Sequence, residues 1–147
     1  MDTMLLMYGL LGVALAAAFI HFARKGGDER QISWYAFGLA IAAGIYVAFN
    51  FVTGGVPLGI ELGGLILFGI VGFFGLRGPA VVLGLGWLAH AGWDIWHLVG
   101  TFASPDWYAG ACIGFDVFLG LYIIFKTRRL KDICYAPVAA GNLVPGA

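Results

Sequence analysis

A chain of 147 residues that is 61% hydrophobic and only 11% charged does not resemble a water-soluble domain, in which about 25% of residues are charged. Its mean hydropathy of +0.93 indicates instead a multi-pass protein of the cell membrane, with membrane lipid as its surroundings. The formal net charge is zero, so there is no bulk electrostatic reason to expect nucleic acid as a partner.

Five apolar stretches are each long enough to cross the roughly 30 Å hydrocarbon core of a bilayer as a helix. The sequence predicts spans over about 4–23, 32–52, 58–76, 79–99 and 105–125, all within one domain over 1–135. Residues 136–147 are mostly small and include proline, which predicts a flexible cytoplasmic tail. We therefore predict an all-α integral membrane protein that folds as a bundle of five transmembrane helices.

The basic residues predict the orientation of this bundle. All eight Lys and Arg residues fall in segments that can lie on one side of the membrane: Arg24, Lys25, Arg30, Arg77, Lys126, Arg128, Arg129 and Lys131. Because positive charge is enriched in cytoplasmic segments, the N-terminus is predicted outside and the C-terminus in the cytoplasm. The first apolar stretch has no positive leader, which predicts an uncleaved helix and not a signal peptide.

An ionisable side chain inside a span costs several kcal/mol if it faces lipid, and five of those within the predicted spans are expected to share one region of the bundle. They are Glu61, His90, Asp94, His97 and Asp116. We expect all of them to face the interior of the bundle or water. His90, Asp94 and His97 recur at i, i+4 and i+7, which places them on one narrow face of the fourth span.

The depth of each group follows from the predicted direction of its span. At a rise of about 1.5 Å per residue, Glu61 lies near the depth of Asp94 and His97, and Asp116 lies near that of His90. The polar groups are therefore expected to meet in the outer half of the bundle. Three further residues are expected to line a substrate pocket there: Asn50, Trp87 and Trp93.

One interpretation of these groups is a metal site. Histidine combined with a carboxylate is common ligand chemistry for zinc and iron. His90, Asp94 and His97 would be the ligands of a divalent transition metal, the cofactor that the composition of the cluster allows. Their spacing on one helix is not an established metal-binding motif.

A second interpretation is acid–base catalysis without a metal. Carboxyl groups in apolar surroundings tend to keep their protons, and histidine can relay protons. The candidate catalytic residues are Glu61, Asp94, Asp116 and His90, with Glu61 and Asp94 as the preferred pair. Aromatic residues make up 16% of the chain, and a pocket lined by them could hold an isoprenoid or acyl chain and stabilise a cationic intermediate.

A third interpretation is structural, with the polar groups satisfying one another and Asp94 or Asp116 orienting a histidine. Five ionisable groups at matched depths favour a functional role. The favoured function is a small membrane-embedded enzyme acting on a lipidic or isoprenoid substrate, a hydrophobic small molecule. The alternatives are a proton, ion or metal carrier that works as a homo-oligomer, and an accessory membrane subunit.

One continuous motif and three shorter ones carry a resemblance to a known family. Residues 86–97 read Gly-Trp-Leu-Ala-His-Ala-Gly-Trp-Asp-Ile-Trp-His, and Pro105–Tyr108, Gly114–Asp116 and Glu61–Gly64 accompany them. This pattern resembles a family of small bacterial multi-pass membrane proteins of unknown function. The resemblance covers spans three to five and implies a membrane protein with the same polar positions. It implies no activity.

Overall fold

The computed structural model describes residues 3–54, 56–100 and 104–134, with side chains up to residue 127. These ranges form five helices and no strand: α1 (Thr3–Arg24), α2 (Gly27–Thr53), α3 (Leu58–Arg77), α4 (Val81–Val99) and α5 (Asp106–Cys134). The all-α prediction is confirmed. Helices α2 and α5 extend beyond the predicted spans, whereas the predicted tail over 136–147 lies outside the described residues.

Four of the helices are long and apolar enough to cross a membrane: α1, α2, α3 and the part of α5 from Asp106 to Thr127. This is consistent with a membrane protein. Helix α4 is not among these four, and it carries His90, Asp94 and His97, all of which lie on its buried face. Its polar side chains therefore point toward the other helices.

Consecutive helices run in opposite directions. Helix α4 packs on α2, α3 and α5, while α1 packs on α2 and α5. Contacts between α3 and α4 show the antiparallel register, since Gly75 lies against Leu83 at one end and Glu61 lies against His97 at the other. The polar face of α4 is therefore enclosed by three neighbouring helices.

Helix α5 is held very close to two of its neighbours by glycine. A Cβ atom on Gly114 would overlap the backbone of α1 at Gly9, and one on Gly120 would lie 2.8 Å from the Gly84 carbonyl oxygen of α4. Small residues at such positions let membrane helices pack backbone to backbone. By contrast, α2 and α5 share no close backbone contact along their described lengths.

The described basic residues lie at one end of the bundle, which we call the basic end. Arg24 and Arg77 lie in the last turns of α1 and α3. The adjoining turn between α1 and α2 is tight, and Gly27 adopts a φ of 80° there. At the same end, Lys126 of α5 donates to Asp28 of α2 at 2.8 Å and also contacts Gln31. This contact ties α2 to α5 at the basic end.

Candidate functional site

The five ionisable residues identified from the sequence are all buried, with exposed fractions of 0% or 1%. The prediction that their side chains face the bundle interior is confirmed. They belong to α3, α4 and α5 and form two groups in the half of the bundle away from the basic end.

The first group, the inner cluster, consists of Tyr46, His90, Asp94 and Asp116. His90 Nδ1 lies 2.7 Å from Asp116 Oδ2 and 3.5 Å from Asp94 Oδ1. Tyr46 of α2 donates its hydroxyl proton to Asp94 Oδ1 at 2.6 Å. Helix α4 supplies His90 and Asp94 one turn apart, and the close α4–α5 packing brings Asp116 to the imidazole. Each side chain is thus held by a partner on another helix.

The second group, the outer pair, consists of Glu61 and His97. His97 Nε2 lies 2.8 Å from Glu61 Oε1, and His97 Nδ1 lies 3.0 Å from the Trp93 carbonyl oxygen. A carbonyl oxygen only accepts, so Nδ1 carries a proton. One further proton lies between Nε2 and Oε1, and whichever atom holds it, the pair has no net charge. This arrangement avoids an isolated buried charge.

Tyr46 connects the two groups, and sequence reasoning missed it. Its ring centroid lies 4.1 Å from that of His97, while its hydroxyl bonds Asp94. Tyr46 lies in the apolar middle of α2, where the sequence alone suggests an ordinary packing residue. The only sequence signal was its position four residues before Asn50, which places both residues on one helix face.

The three residues predicted to line a substrate pocket lie in three different environments. Asn50 donates its side-chain N–H to the Val56 carbonyl at 2.8 Å and so caps the α2–α3 turn. Trp93 packs against the rings of Phe68 and His97, at 6.1 Å and 5.3 Å between centroids. Trp87 is buried and lines the cavity described below, which Asn50 and Trp93 do not line.

His90, Asp94 and Asp116 lie close enough to hold one metal ion, because their potential ligand atoms are within 4.8 Å of one another. His97, the third ligand in the sequence-based set, bonds Glu61 instead. The 2.7 Å between His90 Nδ1 and Asp116 Oδ2 is a hydrogen-bond distance, which a metal ion could not occupy without displacing the shared proton. The geometry as it stands is that of proton sharing.

Three buried atoms of the two groups have no hydrogen-bond partner among the described residues: Glu61 Oε2, His90 Nε2 and Asp94 Oδ2. Buried polar atoms are almost always paired, since an unpaired one costs about 1–3 kcal/mol. The inner cluster and the outer pair can therefore form hydrogen bonds in addition to those between their own side chains. Glu61 and Asp94, the acid–base pair favoured from the sequence, are each bonded to a different residue.

An apolar cavity of about 300 Å³ lies between α2 and α5 and reaches Asp116. Aromatic side chains from four helices form much of its wall: Phe19, Trp34, Trp87, Tyr108 and Phe115. Gly38 of α2 contributes to its width, because a Cβ atom there would lie 3.3 Å from Trp87 and 3.4 Å from Phe19. The exposed side chains of Trp34 and Ile41 at its rim show that the cavity opens on the outer surface of the bundle.

The cavity lies where α2 and α5 are not in close backbone contact, and the described side-chain contacts between them lie toward the two ends of the cavity. At the basic end they are joined by the contact between Lys126 and Asp28. At the other end, the Tyr108 ring of α5 packs against Tyr46 and Phe49 of α2, at 5.7 Å and 5.0 Å. Between these contacts the two helices leave a side opening that leads to Asp116.

No curated protein and no solved structure matches this chain. A family model described as a family of unknown function (DUF6010) matches residues 7–129. The matched region contains both polar groups and the whole lining of the cavity. The sequence-based expectation of a family of unknown function is confirmed, and the chain belongs to the family of unknown function DUF6010.

Proposed function

We propose that the protein crosses the membrane five times, with its N-terminus outside and its basic end in the cytoplasm. Helix α4 has 19 residues, and at about 1.5 Å per residue its length is close to the roughly 30 Å of the hydrocarbon core. Its polar side chains are buried and its neighbours are long and apolar. Basic residues at one end support the orientation.

We propose further that the protein is an enzyme that performs acid–base chemistry on a lipid or isoprenoid molecule. One observation carries this proposal: the apolar cavity between α2 and α5 ends at Asp116, and the carboxyl group of Asp116 is bonded to His90. In a bilayer the side opening would face acyl chains. An apolar substrate could then reach the acid without passing through water.

The role of each residue in the inner cluster follows from its position relative to the cavity. Asp116 lines the cavity and would exchange a proton with the substrate. His90 lies behind it and would hold the carboxyl group in place and share its proton. Asp94 and Tyr46 lie one step further back: Asp94 Oδ1 lies 3.5 Å from the same imidazole nitrogen and accepts the hydroxyl proton of Tyr46.

A carrier is less well supported because an apolar layer separates the inner cluster from the buried Gln31 near the basic end. Between His90 and the basic end, the buried side chains of Leu39, Leu83 and Trp87 fill the interior. A proton or ion pathway through a membrane protein needs polar or wet positions along its whole length. The described part of the chain therefore supports a site that is reached from one half of the membrane.

A purely structural cluster is also less well supported. Groups that only fix helix packing would satisfy one another, yet Glu61 Oε2, His90 Nε2 and Asp94 Oδ2 are without partners among the described residues. Packing would also favour a filled interior, because dense interiors gain dispersion energy. An aromatic-lined cavity at a carboxyl group is better explained by a ligand.

Photo-crosslinking with a fatty acid that carries a diazirine on its chain tests the proposal in proteoliposomes. We expect crosslinks in the cavity wall, near Gly38 of α2 and Cys112 of α5. Gly38→Leu should fill the cavity and abolish these crosslinks. The matched control is Ala48→Leu, an exposed position on α2 outside the cavity lining. Crosslinks that are equally strong in both variants would contradict the proposal.

A further inference from the structure

The polar atoms in the cavity wall narrow the chemistry that can take place there, provided that the proposed function holds. The lining side chains offer few of them: the carboxyl of Asp116, the hydroxyl of Tyr108, the thiol of Cys112 and the indole N–H of Trp34. The indole N–H of Trp87 is already donated to the Tyr35 carbonyl at 3.2 Å. None of the lining residues is Lys or Arg.

This wall is poorly suited to two common kinds of lipid chemistry. Ester or amide cleavage needs convergent donors for the oxyanion, and the helical backbone around the cavity has its N–H groups in use. Chemistry at a phosphate headgroup needs cationic side chains, which the lining does not contain. The cavity lining is therefore suited to a reaction at the carbon atoms of the hydrocarbon chain, and not at a headgroup.

The wall is well suited to a hydrocarbon that becomes positively charged. Aromatic faces attract cations, most strongly where water is excluded. The rings form a continuous surface, with Phe115 at 5.5 Å from Trp87 and 5.7 Å from Phe19. An acid at one end of an aromatic surface is the arrangement needed to create a carbocation and keep it stable.

We propose that the substrate is an isoprenoid alkene and that Asp116 starts its isomerisation or cyclisation by protonating a carbon–carbon double bond. The proton leaves the Asp116 carboxyl group, and the π electron pair of the alkene forms the new C–H bond. The other alkene carbon becomes a tertiary cation. Loss of a proton from an adjacent carbon to the Asp116 carboxylate forms the new double bond, with or without prior attack by a second double bond of the same molecule.

This step is balanced within the site. The acid is regenerated, no electrons are gained or lost, and no co-reactant is consumed. His90 stabilises the carboxylate that remains when the proton leaves, because its Nδ1–H then donates a charge-assisted hydrogen bond to Asp116 Oδ2, 2.7 Å away. His90 is thus a positioning residue, and Asp116 is the catalytic residue.

Deuterium transfer tests the inference in proteoliposomes prepared in D₂O with farnesene, an isoprenoid polyene, as the probe. We expect deuterium on carbon in the recovered farnesene or its isomers, measured by mass spectrometry. Asp116→Asn should lower the rate of uptake at least about 100-fold, the usual effect of losing a general acid. Asp106→Asn, an exposed position on the same helix, should leave it unchanged. Uptake that is unchanged in Asp116→Asn would overturn the inference.

The aromatic wall has its own test, which does not remove a buried polar group. Phe115→Leu keeps an apolar side chain but removes the ring face, and we expect uptake to slow about tenfold while binding persists. Phe118→Leu, on the exposed face of α5, is the matched control. Equal rates in these two variants would show that the rings do not stabilise a cation, and would overturn the carbocation step.

A binding measurement separates this inference from the proposed function. In a Cys134→Ser background, farnesene and its saturated counterpart farnesane should both protect Cys112, which lines the cavity, from N-ethylmaleimide. Protection by both without deuterium uptake from farnesene would overturn the isoprenoid reaction and leave the cavity as a chain-binding site. Protection by neither would overturn the proposed function as well.

Discussion

His90 and Asp116 meet at 2.7 Å although they belong to different helices, and the helices that carry them pack backbone to backbone within two turns of this contact. Gly84 of α4 and Gly120 of α5 form that contact. The distance between the acid and its partner is therefore fixed by packing between glycines, and not by the polar side chains alone.

The glycine contact between α4 and α5 predicts a stability effect. In Gly120→Ala the new Cβ atom would lie 2.8 Å from a backbone oxygen, which cannot move aside as a flexible side chain can. We expect the free energy of unfolding in detergent micelles to fall by about 1–3 kcal/mol. Gly92→Ala on α4 has open space around it and should be neutral or slightly stabilising. Equal losses in both variants would contradict this account.

The outer pair predicts that Glu61→Gln is tolerated better than Glu61→Leu. The glutamine amide can donate to His97 Nε2 in place of a carboxyl proton, whereas leucine removes this hydrogen bond. We expect Glu61→Leu to lower the free energy of unfolding by about 1–3 kcal/mol and Glu61→Gln by clearly less. Denaturant titration monitored by Trp fluorescence would measure both variants. A larger loss for glutamine would show that the pair is not held by one shared proton.

Tyr46→Phe separates the two contacts of that side chain. The ring should keep its packing on His97, while Asp94 Oδ1 loses its phenolic donor. We expect a loss of about 1–3 kcal/mol in unfolding free energy, which should largely disappear in an Asp94→Leu background because the acceptor is then absent. Additive losses in the double variant would mean that the two residues act independently.

The five-span proposal predicts where reporters are active. A cytoplasmic reporter fused after Ala147 should be active, and so should an externally active reporter inserted in the 101–104 segment. The reason is that basic segments are retained in the cytoplasm. Two reporters active on the same side would rule out five spans.

Under the proposed acid–base function, the hydrogen-bond distance between His90 and Asp116 predicts that the purified protein contains no stoichiometric transition metal. Elemental analysis of protein prepared without chelators is the measurement. One metal ion per chain that is lost in His90→Ala would show that the inner cluster is a metal site instead. The ligands would then be His90, Asp94 and Asp116, because these atoms lie within 4.8 Å of one another.

The sequence was sufficient to predict the helices, the burial of Glu61, Asp94 and Asp116, and which of the polar groups lie at the same level along the bundle. Helical rise and the cost of burying polar groups in lipid determine all three. The choice of partners could not be predicted, because it depends on how each helix is rotated about its axis. His97 therefore pairs with Glu61, although its position on the polar face of α4 suggested a shared site with His90.

The aromatic cavity was only partly predictable for a related reason. Trp87 was identified because it neighbours His90, whereas Phe19 and Phe115 look like ordinary lipid-facing residues in the sequence. What distinguishes them is the absence of close backbone contact between α2 and α5 along their described lengths, a property of helix arrangement. No pattern within one helix carries that information.

Helix α5 packs closely on α1 and α4 but makes no close backbone contact with α2 along their described lengths, so the bundle has a rigid part and a more deformable part. Glycine contacts lock α5 to α1 and α4, so these three helices should behave as one block during any fluctuation of the protein. The described contacts between α2 and α5 lie near the ends of α2, so under the proposed function a slight outward bow of α2 between them would widen the opening. Ligands of different width could then enter while the distance between His90 and Asp116 stays constant, because neither residue belongs to α2.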